Sequence, residues 1–313
     1  MTPDINTLPP ESLLSRISRK LFSFGNFKGP LLNSEKEFFE QAIEKNKKNA
    51  FKLPEKKGHI YSNVVIMEKY DCLRIQKEEK PSEKALLFLF GGGFVYTCDN
   101  LSINKATDFG DKSERDVWIP YYPLCIEHRI TETYEMVYQT YKEMLKVYKP
   151  ENIMVLGFSA GGHLALGLGS HINILKENIP MSSLIMVVAP TAVPYTEEEN
   201  QKLDELNSID SFIDKKLVQN IMPKMMEKGQ PIPDYMKYPQ KSDYSNFPEV
   251  HLFYSTCEVL YAFADSFEKN LQKYNIKYKI HIVNGAFHCY PFITFLKEGR
   301  QGSNEIIEIL KSK

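Results

Sequence analysis

Hydrophobic and polar residues follow two different periods along the chain. Residues 1–57 are predicted to form amphipathic helices, because apolar positions recur there at the spacing of one helix face. These positions are Leu13, Leu14, Ile17, Leu21, Phe38, Phe39, Ala42 and Ile43. From His59 the period becomes that of β-strands, and residues 61–67 and 72–76 are predicted to pair in antiparallel fashion.

Beyond this pair, apolar runs alternate with helical patterns. The runs predict strands at 85–90, 116–122, 153–156, 184–189, 250–255 and 278–283. The helical patterns predict helices at 131–148, from Leu164 onward, at 262–273 and at 302–312. Strands that alternate with helices are typical of a mostly parallel sheet with helices on both faces, so the predicted fold class is α/β.

Residues 192–245 interrupt this alternation. They lie between two predicted core strands and are far longer than an ordinary connection. Helical patterns at 197–206 and 214–226 lie within them, and Met222, Met225 and Met226 are expected to give a flexible apolar surface. Two interpretations stay open: a decorative insertion, or a lid over a pocket.

Composition narrows the class of protein. The chain has 313 residues, with 39 Lys and Arg against 40 Asp and Glu, so no basic excess favours nucleic acid. The five cysteines are scattered without a C-x-x-C pair, which favours reduced thiols over a disulfide framework or zinc site. Neither a signal-peptide pattern nor a run of about 18 apolar residues is found. We therefore expect a soluble, cytoplasmic protein without a membrane span.

The stretch 153–165 carries the first chemical signal. Residues 153–156 form a strand-like run, Gly157–Gly161 fits G-x-S-x-G around Ser159, and an apolar helical segment follows. A strand that turns directly into a helix forces strained backbone at the turn and leaves room only for glycine nearby. This predicts an exposed nucleophilic serine at a helix N-terminus, although an ordinary glycine-rich turn has the same short pattern.

A serine nucleophile needs a base, and the base needs an acid to orient it. In hydrolases with this type of sheet, both follow later strands in the order acid, then histidine. Glu258 and His288 meet this requirement, since each lies just beyond a predicted strand. Asp265 is the alternative acid, although it is expected inside the following helix. His163 is expected to serve packing.

Gly91–Gly93 follow another predicted buried strand. Three glycines allow close backbone approach to a ligand and leave N–H groups available, as an oxyanion hole requires. A phosphate-binding loop is the competing interpretation. The absence of G-x-G-x-x-G and of a following lysine disfavours it.

With these motifs in order, the chain resembles an α/β-hydrolase, most closely the hormone-sensitive-lipase-like carboxylesterases. Residues 90–94 (FGGGF) correspond to that family's H-G-G-G-F, residues 157–162 (GFSAGG) to its G-D-S-A-G-G, and residues 122–128 (YPLCIEH) to its Y-R-L-A-P-E-H. The resemblance covers about 60–190 and 250–300.

The resemblance implies a role for each site residue. Ser159 would be the nucleophile, His288 the base and Glu258 the acid, while the N–H groups of Gly92, Gly93 and Ala160 would bind the oxyanion. The implied substrates are carboxylic esters of short or medium acyl chains, and the implied reaction uses no metal or cofactor.

The resemblance also implies a division of the chain into two parts. Residues 58–191 and 246–313 would form the α/β-hydrolase core, and residues 1–57 and 192–245 a helical cap over the active site. The expected partner is a small-molecule ester rather than nucleic acid. A homodimer is left open.

Three residues depart from the family pattern. Phe90 replaces the usual histidine, Phe158 replaces the usual aspartate, and Glu258 stands where aspartate is commoner. These departures keep a second hypothesis open, in which the protein is a receptor-like member of the same fold that binds a small ligand without hydrolysing it. Such receptors typically lack a triad residue, and this chain has all three, so the enzyme is favoured.

Overall fold

The structure, a computed structural model, describes residues 7–23, 28 and 34–312. The remaining residues of the predicted N-terminal cap segment and Lys313 lie outside this part. Its strands are β1 (Ile60–Ile66), β2 (Tyr70–Gln76), β3 (Ala85–Leu89), β4 (Asp116–Pro120), β5 (Ile153–Phe158), β6 (Leu184–Val188), β7 (Glu249–Ser255) and β8 (Tyr278–Val283).

Nine α-helices occur in the described ranges. They are α1 (Leu13–Ser23), α2 (Glu35–Lys48), α3 (Asn100–Ser113), α4 (Ile130–Leu145), α5 (Ala160–Leu175), α6 (Glu197–Asn207), α7 (Met222–Glu227), α8 (Ala264–Lys273) and α9 (Lys297–Lys311). A π-helical turn at Leu217–Ile221 leads into α7, and a 3-10 turn at Val259–Phe263 leads into α8.

All eight strands form one sheet in the order β1-β2-β4-β3-β5-β6-β7-β8. The pairs β1–β2 and β2–β4 are antiparallel, and every other pair is parallel. Strands β3, β4, β5 and β6 are buried at every position. Because successive side chains point to opposite faces, this burial requires cover on both faces. The predicted α/β class is confirmed.

The main element missed in the sequence is α3. Its sequence, NLSINKATDFGDKS, has a weak apolar stripe and contains Gly110, so periodicity alone gave no clear signal. Its beginning did carry a signal, because the side chain of Asp99 caps it by accepting from the Ser102 N–H. Helix α9 also begins earlier than predicted, at Lys297.

The parallel strands place four loops at one edge of the sheet. The loops after β3, β5, β7 and β8 carry the glycine run, Ser159, Glu258 and His288 respectively. The carboxyl ends of neighbouring parallel strands share an edge, so residues far apart in sequence can meet there.

Candidate active site

Ser159 lies at the sharp turn between β5 and α5. Its backbone is strained, with φ 52° and ψ −116°, a conformation that non-glycine residues rarely adopt. Its own N–H donates to the Val188 carbonyl at 2.8 Å, which ties the turn to β6. The side chain is 6 % exposed and faces a cavity.

The flanking glycines are required by the tight approach of the backbone. A Cβ on Gly157 would lie 2.1 Å from the Gly161 carbonyl oxygen, and a Cβ on Gly161 would lie 2.0 Å from that of Leu89. No side chain fits at such distances, so the turn admits glycine alone at both positions. The glycine pattern predicted from the sequence therefore has a steric cause here.

Glu258 and His288 are in direct contact. The Nδ1 of His288 lies 2.6 Å from Oε2 of Glu258, and the N–H of Ser255 donates to Oε1 at 2.7 Å. Glu258 is completely buried. Asp265, the alternative acid, lies in the first turn of α8 and forms an ion pair with Lys202 instead.

Burial and pairing act in opposite directions on these two groups. Burial raises the pKa of Glu258, while the hydrogen bonds from His288 and the Ser255 N–H lower it, and the net direction is upward. For His288, burial lowers the pKa, but Cys289 and Glu258 together more than offset this and raise it well above its ordinary value. An imidazole in this setting binds a proton more tightly than a free histidine does.

Ser159 and His288 border the same cavity, but each is bonded to another neighbour. Ser159 Oγ lies 3.2 Å from Thr191 Oγ1, and the Cys289 thiol lies 3.3 Å from Nε2 of His288. When His288 is neutral and its Nδ1–H donates to Glu258, Nε2 accepts from the thiol. When His288 is protonated, Nε2–H donates to the sulfur, and this contact is among those that raise the pKa of His288. Sequence reasoning missed both Thr191 and Cys289, although Cys289 is adjacent to His288.

Gly92 and Gly93 form a wall of the cavity beside Ser159. Their φ angles are +118° and +62°, and a Cβ on Gly92 would lie 2.6 Å from the Tyr96 carbonyl oxygen. Neither N–H donates to any residue of the described part of the chain. The N–H of Ala160, the first residue of α5, has no acceptor within its own helix. These three donors are available to an anion.

Aromatic packing and a hydrogen bond from Tyr122 hold the start of this loop. The ring of Phe90 stacks on Tyr122 with ring centroids 4.1 Å apart and an interplanar angle of 6°. The Tyr122 hydroxyl donates to the Phe90 carbonyl at 2.6 Å. Phe94 is also buried and meets His163 edge to face. Both phenylalanines therefore occupy the core rather than the cavity.

His163 has a structural role. It is fully buried, with ring nitrogens 2.9 Å from the Thr191 carbonyl and 3.0 Å from the Met236 carbonyl. Burial lowers its pKa to about 4, against the effect of these two carbonyls. It is neutral near pH 7, so its single N–H donates to one of these two carbonyls while the ring lies between them. The predicted packing role is confirmed.

The cavity has a volume of about 410 Å³ and a mainly apolar wall. The insertion contributes Phe212, Ile213, Leu217 and Val218, among others. The three methionines at 222, 225 and 226, predicted to form an apolar surface, are instead buried and do not border the cavity. The sequence pattern identified apolar residues in the right segment but not which of them face the cavity.

Helix α1 contacts the loop that carries His288. The Gly285 carbonyl accepts from Ser15 Oγ at 2.9 Å and from Arg19 Nε at 3.1 Å, while Arg19 is paired with Glu11 at 2.8 Å. Gly285 has φ +76°, and a Cβ there would lie 2.3 Å from the Glu11 side chain. Helix α1 thus packs directly on the loop that carries His288.

Aromatic packing extends this contact to the insertion. Phe22 of α1, Phe212 of the insertion and Phe287 of the loop that carries His288 form a triangle with centroid distances of 5.4, 5.1 and 5.2 Å. Both segments assigned to the cap therefore touch the residue next to His288.

The described residues contain no metal-binding group, disulfide or membrane-spanning helix. Across residues 7–23, 28 and 34–312, no group of three or more His, Cys, Asp or Glu side chains is arranged to hold a metal ion. All five cysteines are free, as predicted. None of the helices in these ranges combines the length and apolar character needed to cross a bilayer.

The profile of the α/β-hydrolase fold family matches residues 86–292, which is more than half of the chain. The chain therefore belongs to the α/β-hydrolase fold family. The match includes all four loops at the sheet edge described above.

The relatives that this chain resembles are esterases. An esterase from Acinetobacter venetianus is 25% identical over 244 residues, covering 75% of this chain and 77% of the relative. Esterase LipU from Mycobacterium tuberculosis is 32% identical over 98 residues, covering 31% of this chain and 33% of the relative. These findings support an esterase-type hydrolase.

Solved structures share the fold over nearly the whole chain. The crystal structure of EstE5 soaked with ethyl alcohol has a TM-score of 0.81 at 18% identity, covering 96% of this chain and 98% of that one. An esterase from the bacterial hormone-sensitive lipase family has a TM-score of 0.72 at 16% identity, covering 98% and 93%. At these identities the likeness concerns the fold.

Proposed function

We propose that this protein is a serine hydrolase that cleaves carboxylic esters of short to medium acyl chains through an acyl-enzyme intermediate. The observation that carries the proposal is the 2.6 Å contact between His288 and a fully buried Glu258, in a cavity that Ser159 also borders. A buried carboxylate that fixes one imidazole nitrogen leaves the other free to act as a base toward a hydroxyl.

In the proposed reaction, Ser159 exchanges Thr191 for His288 as its hydrogen-bond partner. Nε2 of His288, released from the Cys289 thiol, takes the Ser159 proton while Oγ attacks the ester carbonyl. The imidazolium then donates that proton to the leaving alcohol. A water molecule, activated in turn by His288, hydrolyses the acyl-enzyme and regenerates the serine. Glu258 stays ionised and stabilises the imidazolium.

The oxyanion of each tetrahedral intermediate would accept from the N–H groups of Gly92, Gly93 and Ala160. This assignment is supported by the availability of the three donors and by their position around Ser159. A Cβ on the preceding Gly91 would lie 3.3 Å from the Ser159 Cβ, so the loop and the nucleophile are in close contact.

We further propose that residues 1–57 and 192–245 act together as a cap. The aromatic triangle of Phe22, Phe212 and Phe287 supports this, because it joins both segments to the base loop. The acyl chain would then contact the apolar wall that the insertion supplies, and the 410 Å³ volume suits a short or medium chain.

The test combines active-site labelling with a substrate panel. A fluorophosphonate probe should label Ser159 in the purified protein, and p-nitrophenyl esters of graded chain length should be hydrolysed with an optimum at short or medium chains. Failure to label, together with no turnover of any ester, would contradict the proposal and favour the receptor-like alternative.

A further inference from the structure

Asp210 is a buried carboxylate in the insertion, located between α6 and the π-helical turn. It is 4 % exposed. A buried charge at this depth is costly unless hydrogen bonds compensate it, so its partners should be informative. No role in an active site follows from its sequence context.

Three backbone N–H groups donate to this carboxylate. Phe212 and Ile213 donate to Oδ1 at 2.7 and 3.0 Å, and Val259 donates to Oδ2 at 2.8 Å. The first two bonds are local, whereas the third joins residues 49 positions apart in the chain. Such charge-assisted bonds are stronger than those between neutral groups.

The Asp210 carboxylate and the three N–H groups that donate to it form a bridge between two segments of the chain. The two ends of this bridge lie on opposite parts of the candidate active site. Phe212 and Ile213 line the cavity from the side of the insertion. Val259 directly follows Glu258 and begins the 3-10 turn, whose second residue, Leu260, also lines the cavity. Asp210 therefore connects the cavity wall to the loop that carries the predicted triad acid.

The bridge restrains the backbone next to Glu258 on one side. On the other side, Glu258 is held through its own carboxylate by the Ser255 N–H. The peptide plane between Glu258 and Val259 is fixed by the bond to Asp210, and this plane helps set the direction of the Glu258 side chain. Asp210 also adds to the upward shift in the pKa of Glu258, for which burial is the main cause.

We propose that Asp210 is a positioning residue that aligns Glu258 with His288 through the Val259 N–H and thereby couples the cap wall to the catalytic acid. The inference rests on the proposed function, because it gives Glu258 the role of triad acid. It assigns a function to a residue of the insertion that does not itself contact the cavity.

Asp210→Asn removes the bond to the Val259 N–H with little change in side-chain size. The asparagine oxygen can still accept from Phe212 and Ile213, but its amide group then faces the Val259 N–H, so two donors meet where an ion–dipole bond was. We expect kcat to fall about 10- to 100-fold, the loss of one hydrogen bond to a charged group, with a much smaller change in KM.

Glu199→Gln is the matched control. Glu199 is a cap carboxylate, 2 % exposed, whose Oε2 accepts from the N–H groups of Tyr195 and Thr196 and whose Oε1 accepts from Gln240. It has no bond to the acid loop. Its substitution removes the same charge from the same segment and should leave kcat unchanged.

Two further measurements distinguish a positioning role of Asp210 from a contribution to stability alone. In a Glu258→Gln background, Asp210→Asn should add little, because the group it positions has been neutralised. The low-field proton resonance of His288 Nδ1–H reports the bond to Glu258 without any turnover. It should shift or broaden in Asp210→Asn and stay in place in Glu199→Gln.

These measurements can support or overturn the positioning role of Asp210. A wild-type resonance in Asp210→Asn, or effects on kcat that multiply fully with Glu258→Gln, would overturn the positioning role. If the wild type hydrolyses no ester, the proposed function fails. The resonance then still shows whether Asp210 aligns the Glu258–His288 pair.

Discussion

The two halves of the candidate site are built in different ways. The half around Ser159, the predicted nucleophile, is a local construction, since β5, the turn and α5 are consecutive and sterically determined. The acid–base half consists of two loops held by distant segments. Helix α1 bonds to Gly285 beside the base, and Asp210 bonds to Val259 beside the acid.

The turn at Ser159 is rigid because of its own local sterics, whereas the loops of Glu258 and His288 are held by packing against other segments. Steric exclusion at Gly157 and Gly161 does not depend on the cap, because the clashing atoms belong to β3 and α5. The Glu258–His288 contact, in contrast, lies between loops whose backbones are bonded to the predicted cap. Changes in the cap should therefore affect the Glu258–His288 pair before they affect Ser159.

The largest effect is expected at Ser159, the predicted nucleophile. Ser159→Ala should reduce ester hydrolysis by about 10⁴-fold or more, because no other group can form the acyl-enzyme. The variant should keep the melting temperature of the wild type, measured by calorimetry, since the strained turn is set by its neighbours. Retention of substantial turnover would show that another residue is the nucleophile.

The next largest effect should distinguish the two candidate acids. Glu258→Gln should lower kcat by up to about 10⁴-fold, because an amide favours the wrong tautomer of His288. Asp265→Asn should change kcat little, since Asp265 is paired with Lys202 in α8. Steady-state kinetics on one short-chain ester measures both, and a reversed order would refute the assignment of Glu258.

The glycine loop should show a smaller effect. Phe90→Ala removes the ring that stacks on Tyr122 and should loosen Gly92 and Gly93. The expected loss in kcat is at most about 10²- to 10³-fold, the cost of one oxyanion donor in other hydrolases. Phe90→His should be tolerated. A folded Phe90→Ala protein with full activity, checked by thermal melts, would show that the loop does not depend on this packing.

The pH profile should report the state of the base. The proposed reaction needs neutral His288, and the pKa of His288 is raised, so activity should be lost as pH falls through a value above the ordinary 6.5. Below that pKa, kcat/KM should fall about tenfold per pH unit. Cys289→Ala removes one group that raises the pKa and should move this acid limb to lower pH. An unchanged limb would contradict the role of the thiol.

The smallest effect is expected in the wall of the cavity. Leu217 borders the cavity next to Gly93, within 3.4 Å of the position a Cβ there would take. Leu217→Ala should shift the preference toward longer acyl chains by about tenfold, the lower end of the effect of one methylene group in an apolar pocket. Met226→Leu is the control, because Met226 is buried away from the cavity. Equal shifts in both variants would disconnect the insertion from acyl selection.

Much of the fold could be predicted because its signals are local. Buried parallel strands appear as short apolar runs, and the predicted bounds of β8 agree with the structure. Helix α3 was missed because its stability depends on packing against the sheet and α9 rather than on a strong apolar stripe. Propensity within a segment does not report contacts with a distant one.

By itself, the sequence determined the α/β class, the glycine-flanked Ser159 and the pairing candidates Glu258 and His288. Each of these follows from residue type and spacing over a few positions. Only the tertiary structure decided that Thr191 and Cys289 contact Ser159 Oγ and His288 Nε2. It also decided that Arg19 braces the loop carrying His288 and that Asp210 braces the loop carrying Glu258. The physical reason is that the bonds of Thr191, Arg19 and Asp210 join groups that lie 32, 266 and 49 positions apart, and no pattern along the chain records such a contact. The contact of Cys289 with its neighbour His288 depends on how the loop turns, which residue type and spacing do not record either.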